Sequence, residues 1–291
     1  MKFVTYNIQY GRGKDERFDL ERIAGEVAGA DVIALQEVER FWQRSGMVDQ
    51  PAELARLLDG YHWVYGAGVD VDAGTTDDAG KPVHRRRQFG NMLLSKTLIL
   101  TSRNHLLPKY ATLKPLSLQR AALEGVVATA AGAARLYSVH LTHLSAETRL
   151  PQIDHLWHVH RRAVIEGAPI TGSDRLPAEW IQDGIPGAMP REAIIMGDFN
   201  FEPDSEEYKR MVGPSAGPYG GRMTNPDGFV DAWVAAGHKE DEGMTAAIRD
   251  RPVRLDYLFV STALRDRIKS VEIDNAAQGS DHQPVWMEID L

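Results

Sequence analysis

The feature that most restricts the fold of this chain is a series of strand-length apolar runs, each associated with a side chain that can hold a metal ion or a phosphate. Thr5-Tyr6-Asn7-Ile8 presents Asn7, and Ile33-Ala34-Leu35-Gln36-Glu37-Val38 presents Glu37. Tyr137-Ser138-Val139-His140-Leu141 carries His140 to a strand end, while Arg254-Leu255-Asp256-Tyr257-Leu258 sets Asp256 inside an apolar run. Ile194-Ile195-Met196-Gly197-Asp198-Phe199-Asn200 runs through a glycine into a carboxylate and a carboxamide. Asp198 and Asn200 point the same way in an extended chain, because alternate residues share a face. Gly279-Ser280-Asp281-His282-Gln283-Pro284 places an acid and an imidazole just before the last apolar segment. Singly, each fragment has an ordinary explanation: Asp198 and Asn200 could form an Asx turn, Asn7 could cap a turn, Glu37 could be a helix-start charge and Asp256 could pair with Arg254. Jointly, they call for strand ends that meet, since a carboxylate is seldom buried unless paired or metal-bound.

Strand-like runs occur at 2–8, 31–36, 91–95, 122–128, 135–141, 193–196, 255–260 and 284–289, and they outnumber the helical segments. Several are apolar at every position, as expected of strands covered on both faces, and a pair of stacked sheets under outer helices supplies that environment. Helical periodicity is clearest over 146–165, where Leu150, Ile153, Leu156, Trp157 and Val164 can share a face, and over 19–27, with Leu20, Ile23, Ala24 and Val27. Asp204-Ser205-Glu206-Glu207 after Pro203 reads as a helix start, because short oxygen side chains and acidic residues satisfy and complement the exposed N–H groups there. Segments 66–90, 167–191 and 213–228 are rich in Gly, Pro, Asp or Asn and read as long loops that shape a substrate site. No linker divides the chain, so residues 1–291 are expected to form a single domain.

The lack of cysteine among 291 residues excludes disulfides, thiolate nucleophiles and Cys-held zinc or iron–sulfur clusters. Any metal must be held by oxygen or imidazole. The formal net charge of −8 argues against a protein that coats nucleic acid non-specifically, although it is compatible with a locally basic cleft. No apolar run approaches the roughly 20 residues of a membrane-spanning helix. The opening Met1-Lys2-Phe3-Val4-Thr5-Tyr6-Asn7 reads as a strand rather than a secretory signal, which makes a cytoplasmic location the expectation.

The ordered set TYNI, LQEV, VHLTH, GDFN, RLDY and SDH, spanning Asn7 to His282, resembles the endonuclease/exonuclease/phosphatase superfamily. That superfamily includes DNase I-like nucleases, abasic-site endonucleases, sphingomyelinases and inositol-phosphate phosphatases. GDFN and SDH in this order carry most of the specificity, whereas RLDY or LQEV alone would be weak. The resemblance implies an α+β fold of DNase I-like type, a four-layer α/β/β/α sandwich of two mixed, mainly antiparallel sheets flanked by helices, with the site at one edge of the paired sheets. Carried over residue by residue, it implies that Glu37 binds the catalytic divalent cation, with Asn7 beside it and Asp281 close by; such oxygen ligands suit Mg²⁺ or Mn²⁺. Asp198 would orient or deprotonate the attacking water with help from Asn200, while His282, held by Asp256, and His140 would stabilise charge on the phosphoryl oxygens. Arg120, in Ser117-Leu118-Gln119-Arg120-Ala121, resembles an arginine that the family often presents before a strand and suits a bidentate grip on phosphate; a solvated strand-start charge is the alternative. Position 9 departs from the pattern, because Gln9 stands where the abasic-site endonucleases carry an acidic residue, which weakens an assignment to DNA repair.

The expected function is a Mg²⁺- or Mn²⁺-dependent phosphodiester hydrolase, the acidic balance favouring a small or lipid-derived substrate over long DNA. A nuclease is the alternative, favoured if Arg85 to Arg87 and Arg120 line one groove, and a non-catalytic member that binds a phosphorylated ligand is a third. His155, His158 and His160, with His140 and His143, suggest a transition-metal site, but an outer helix more often carries surface or satisfied core histidines. His84-Arg85-Arg86-Arg87 follows Asp70, Asp72, Asp77 and Asp78 and reads as a solvated, partly self-neutralised loop. Tyr10-Gly11-Arg12-Gly13-Lys14 has the wrong spacing for a nucleotide P-loop.

Overall fold

The computed structural model describes residues 1–172 and 187–291. The first of its two main sheets holds β1 (Lys2–Asn7), β2 (Val32–Arg40), β3 (His62–Asp72), β6 (Arg86–Ser95), β15 (Ile268–Ile273) and β16 (Val285–Ile289), in the order β15-β16-β1-β2-β6-β3. The second holds β7 (Ile99–Leu106), β8 (Ala121–Thr129), β9 (Gly132–His140), β10 (Ala193–Asp198), β11 (Phe229–Asp231) and β14 (Asp256–Ser261), in the order β11-β14-β10-β9-β8-β7. Two short ribbons pair β4 (Thr75–Thr76) with β5 (Pro82–Val83) and β12 (Ala246–Ile248) with β13 (Arg251–Val253). Within the main sheets β1 runs parallel to β2 and β9 to β10, and the other neighbours are antiparallel. A parallel pair needs a long crossover. Here α1 (Leu20–Val27) joins β1 to β2, and the crossover from β9 to β10 contains α3 (Ala146–Glu166).

The pleat explains why the strands are apolar throughout. Phe3, Val32, Ala34, Leu136, Ile194, Met196, Leu258 and Val260 face the space between the sheets and form one core. Their chain neighbours Val4, Ile33 and Leu35 pack outward against Ile23 and Val27 of α1 and Leu54 of α2 (Gln50–Leu57). Ile195, Tyr257 and Phe259 pack outward against Ile153 and Leu156 of α3 and Tyr208 and Met211 of α4 (Glu206–Val212). The result is the expected α/β/β/α sandwich, with α5 (Ala232–Ala235) packed near its edge. Each fully buried side chain of this size contributes roughly 1.5–3 kcal/mol, so two covered faces per strand account for a large share of the stability.

Most helix boundaries follow their local chemistry. The Asp19 carboxylate accepts the Arg22 N–H at 2.9 Å and caps α1, and Ser205, inside the expected start signal, accepts the Tyr208 N–H at 3.1 Å to cap α4. On α3, Ile153 and Leu156 are buried as their spacing implies, but Val164 is exposed and Ala163 takes the inward position near the helix end. The periodicity of a 21-residue helix drifts around its axis, so the face set by its first turns does not hold to the last.

The segment 66–90 is not a long loop. β3 and β6 form a ladder from His62↔Ser95 to Asp72↔Arg86, with one register shift between Ala67 and Val69, leaving only 73–85 as connection. Its glycines and charges misled for physical reasons. Gly90 sits where a Cβ would overlap the Gly66 carbonyl, so glycine here marks close backbone approach within a sheet. The Asp70 carboxylate accepts a 2.8 Å hydrogen bond from Arg86 across the ladder, so opposite charges stabilise the pairing. Segment 213–228 does lack long elements, holding a single 3₁₀ turn at Gly217–Tyr219 and a Ser215↔Arg222 bridge. Of the expected loop 167–191, positions 173–186 lie outside the described residues. Among the described residues no helix is long and apolar enough to cross a membrane.

Gly197 sets the register at the centre of the second sheet. Its φ of +149° and the overlap that a Cβ would make with the Val139 carbonyl leave no room for a side chain. Gly197→Ala should therefore destabilise the fold by about 2 kcal/mol or more, read as a lower urea midpoint at unchanged slope. An unchanged midpoint would show that β9 and β10 can separate without penalty.

Candidate active site

The inner faces of the two sheets change character along their length. Past the apolar core lies a buried polar layer, in which Gln36 Nε2 donates to Ser138 Oγ at 3.0 Å and Thr5 Oγ1 at 3.2 Å, tying the two sheets together. Asn91 adds to this layer, its Nδ2 donating to the carbonyls of Ala121 at 2.8 Å and Ser138 at 3.0 Å. One step further, the same faces end in Asn7, His140, Asp198 and Asp256, all buried. Asp198 is in direct register with His140 on β9 and with Asp256 on β14, so three polar groups stand side by side at one sheet edge.

Glu37 reaches this group by a different route. Strict alternation would send it outward with Ile33 and Leu35, but β2 is bulged between Leu35 and Val38, and Glu37 has a φ of +60°. A bulge re-aims a side chain, and here the Glu37 carboxylate accepts a long 3.5 Å contact from Asn7 Nδ2. The same Asn7 amide donates to Asp198 at 2.9 Å. Asn200, with φ +53°, donates its backbone N–H to the Asp198 carboxylate at 2.9 Å, so the Asx turn and the functional grouping are one and the same structure. Asp281 lies at the exposed rim, where it accepts hydrogen bonds from Gln9 at 2.8 Å and Ser280 at 3.2 Å. Asn7, Glu37, His140, Asp198, Asn200, Asp256 and Asp281 thus meet around one edge.

The two central histidines are held in opposite states. Arg120, buried rather than solvated, donates to His140 Nδ1 at 2.9 Å. Arginine has no acceptor, so Nδ1 accepts and the neutral ring carries its proton on Nε2, which lies 3.3 Å from the Asp198 carboxylate. Burial and the Arg120 charge hold the His140 pKa well below the usual range. His282 Nδ1 lies 2.7 Å from Asp256, and Nε2 points toward Asp198 at 3.9 Å. Burial alone would lower its pKa, but the Asp256 and Asp198 carboxylates outweigh it and push it up to about 10. Asp256 is therefore the partner of His282 and not of Arg254, which pairs with Asp231 at 2.7 Å. Asp198 is shifted upward, by burial first and by the Asp256 carboxylate next, which makes it a better proton acceptor than an ordinary aspartate.

Asp198, Asp256 and His282 bring one potential ligand atom each within 4.8 Å of one another. An imidazolium offers no lone pair, so while His282 stays protonated against Asp256 these three suit a hydrogen-bonded charge network better than a metal cage. Glu37 fits a cation better. Its only hydrogen bond among the described residues is the long one from Asn7, and desolvation raises its pKa. A divalent ion would supply the missing partner, and an oxygen-donor set suits a hard cation.

The remaining clusters resolve differently. His155 and His158 stack at a centroid distance of 6.3 Å, whereas His160 accepts from the buried Arg135 at 2.8 Å, so the helix histidines do not converge on a metal. His143 is the exception, since its Nδ1 lies 3.4 Å from Arg120. Arg85, just before β6, and Arg87 within it lie over the Phe41 and Trp42 rings, while Arg86 turns away to Asp70. Phe89 was not foreseen: its ring lies 5.7 Å from the Arg120 guanidinium and 6.4 Å from the His140 ring. Ser280, also missed, donates to the Asn7 carbonyl at 2.7 Å and links the first strand to the last loop. Only its place beside Asp281 and His282 in sequence could have suggested it.

Comparison with known proteins places this geometry. The model of the Endonuclease/Exonuclease/phosphatase family matches residues 4–282. No curated protein matches. Among solved structures, an endonuclease/exonuclease/phosphatase from Bacteroides vulgatus is 18% identical, with a TM-score of 0.65 over 100% of this chain and 98% of that one. A mannosyl-6-phosphatase from Bacteroides thetaiotaomicron is 16% identical, with a TM-score of 0.60 and 100% of both chains covered. A 3′ phosphatase from Neisseria, bound to product DNA hairpin, has the same identity of 16%, TM-score of 0.60 and coverage of 100% of each chain. At such identities the likeness shows a shared fold, and the family match shows more: this chain belongs to the endonuclease/exonuclease/phosphatase family of metal-dependent phosphoric ester hydrolases.

Proposed function

We propose that the chain is a Mg²⁺- or Mn²⁺-dependent phosphodiesterase acting on a small or lipid-derived phosphodiester. The observation that carries this is Asp198, an aspartate with a raised pKa set between a neutral imidazole and a charged one. Asp198 accepts the proton of the attacking water, held in place by Asn7 and the Asn200 N–H. The His282 imidazolium, fixed by Asp256, faces the phosphoryl oxygens, and His140 and Arg120 stabilise charge on the same group. A divalent cation at Glu37, with Asn7 beside it and Asp281 close by, supplies further electrostatic stabilisation when bound.

Charge balance favours a diester. Arg120, the His282 imidazolium and a divalent ion would roughly offset Glu37, Asp198, Asp256 and Asp281. Little positive charge is left over, which matches the single charge of a diester better than the double charge of a monoester. A nuclease is the second reading, supported by Arg85 and Arg87, which form no ion pair among the described residues and lie over the Phe41 and Trp42 rings. Steeply salt-dependent binding to DNA would favour it.

Asp198→Asn and His282→Ala should each lower turnover of bis-p-nitrophenyl phosphate by at least about 100-fold, with circular dichroism and Tm retained. Wild-type turnover in either folded variant refutes the assigned role. Chelation should abolish activity and added Mg²⁺ or Mn²⁺ should restore it, while Glu37→Gln should raise the metal concentration for half-maximal activity by about tenfold or more. Metal-independent turnover in the chelated wild type would exclude the cation from the reaction.

A further inference from the structure

Between β7 and β8 the chain leaves the second sheet and returns to it beside the active site. The foot of this loop is closed by the Leu107 N–H donating to the Arg120 carbonyl at 2.9 Å and by Gln119 Nε2 donating to the Leu107 carbonyl at 2.6 Å. Gln152 of α3 braces it by donating to the Pro108 carbonyl at 2.9 Å. Higher up, Ser117 Oγ donates to the Tyr110 carbonyl at 3.0 Å, and Thr112 Oγ1 closes the tip by donating to the Pro115 carbonyl at 2.5 Å. Backbone bonded in this way is a built projection.

What it projects is apolar. Leu113, at the tip, is fully exposed, Leu116 is 68% exposed and Tyr110 54%, and none of the three belongs to a core cluster. Grouped apolar side chains on a held loop mark an interaction site rather than the scattered exposure found on any surface. Lys109 and Lys114 flank the tip, and neither forms an ion pair among the described residues. Positions 97 to 123 contain no carboxylate at all, in a chain of net charge −8. Apolar groups flanked by two unpaired lysines are complementary to an anionic bilayer surface, with acyl chains below and negative headgroups at the lysine level. Single-stranded nucleic acid fits less well, since Tyr110 is the one ring of the group and Leu113 and Leu116, the more exposed pair, offer none for a base to stack on.

We propose that this loop is an interfacial anchor for anionic lipid membranes, which would make the substrate the phosphodiester of a membrane lipid. Arg120, at the loop's foot, contacts His140, so the loop that would grip the bilayer is continuous with the site. The inference rests on the phosphodiesterase function proposed above and narrows it to a substrate class.

Sedimentation of the full chain with vesicles of phosphatidylcholine, with and without phosphatidylserine, tests it. The wild type should sediment with the anionic vesicles. The double variant Leu113→Ser/Leu116→Ser should bind at least about tenfold more weakly, and Lys109→Gln/Lys114→Gln should lose the preference for phosphatidylserine. Both should keep wild-type turnover of bis-p-nitrophenyl phosphate in solution, since neither pair touches the catalytic groups. The anchor is overturned if the wild type sediments with neither vesicle or if the tip substitutions leave binding unchanged. It is equally overturned if the tip instead mediates a dimer, or binding to a single-stranded oligonucleotide, that the leucine substitutions abolish. A chain that binds vesicles through the loop but never hydrolyses the soluble diester would instead count against the phosphodiesterase function.

Discussion

Everything at the active edge depends on the stacking of two parallel strand pairs, β1 with β2 and β9 with β10, across one interior. Side chains that alternate toward that interior are apolar over most of its length, then hydrogen-bonded, then catalytic in type. The hydrophobic contact among Phe3, Ala34, Leu136, Ile194 and Met196 aligns the strands, and the Gln36–Ser138 bond ties the sheets just beneath the site. A polar group at the end of such a strand inherits the rigidity of the core below it. That is why Asn7, His140, Asp198 and Asp256 can be held a few ångströms apart without a disulfide to assemble them.

Rigidity alone would not produce chemistry. The useful asymmetry lies in how one enclosed space holds His140 neutral and His282 charged. A buried cation, Arg120, faces the first, and a buried anion, Asp256, faces the second. Asp198 lies between them, raised by burial, and so combines the affinity for a proton that a base needs with neighbours that can stabilise negative charge. Isolated buried charges are costly, and these are tolerated because each has an opposite charge or hydrogen-bond donor within reach.

The edge also differs from the rest of the surface in what surrounds it. On one side Arg85, Arg87, Phe41 and Trp42 form a band of cation–π contacts, with Arg85 over the Phe41 ring at 5.0 Å and Arg87 over the Trp42 ring at 5.7 Å. Arg120 joins the proposed catalytic groups to the base of an apolar, lysine-flanked loop. The proposed catalytic groups thus sit on strand ends and the connections that leave them, and under that proposal the choice of ester falls to segments that the sandwich does not constrain.

By itself the sequence determined the layers and named most of the polar residues that the structure gathers at one edge. Uniformly apolar strands require covering on both faces, and residues such as Asp198, Asn200, His140 and His282 declare themselves where such strands end, because few other roles suit them there. The capping residues of α1 and α4 were legible for the same reason, being local. Tertiary structure alone decided what depends on neighbours distant in the chain. The bulge that turns Glu37 inward, the pairing of Arg254 with Asp231 that frees Asp256 for His282, and the entry of Phe89 beside Arg120 all follow from packing between strands far apart in sequence. So does the β3–β6 ladder, whose glycines read as a loop until the neighbouring backbone shows why no side chain fits. Periodicity reports which face a residue prefers, whereas its partner on that face is set by the register of another strand.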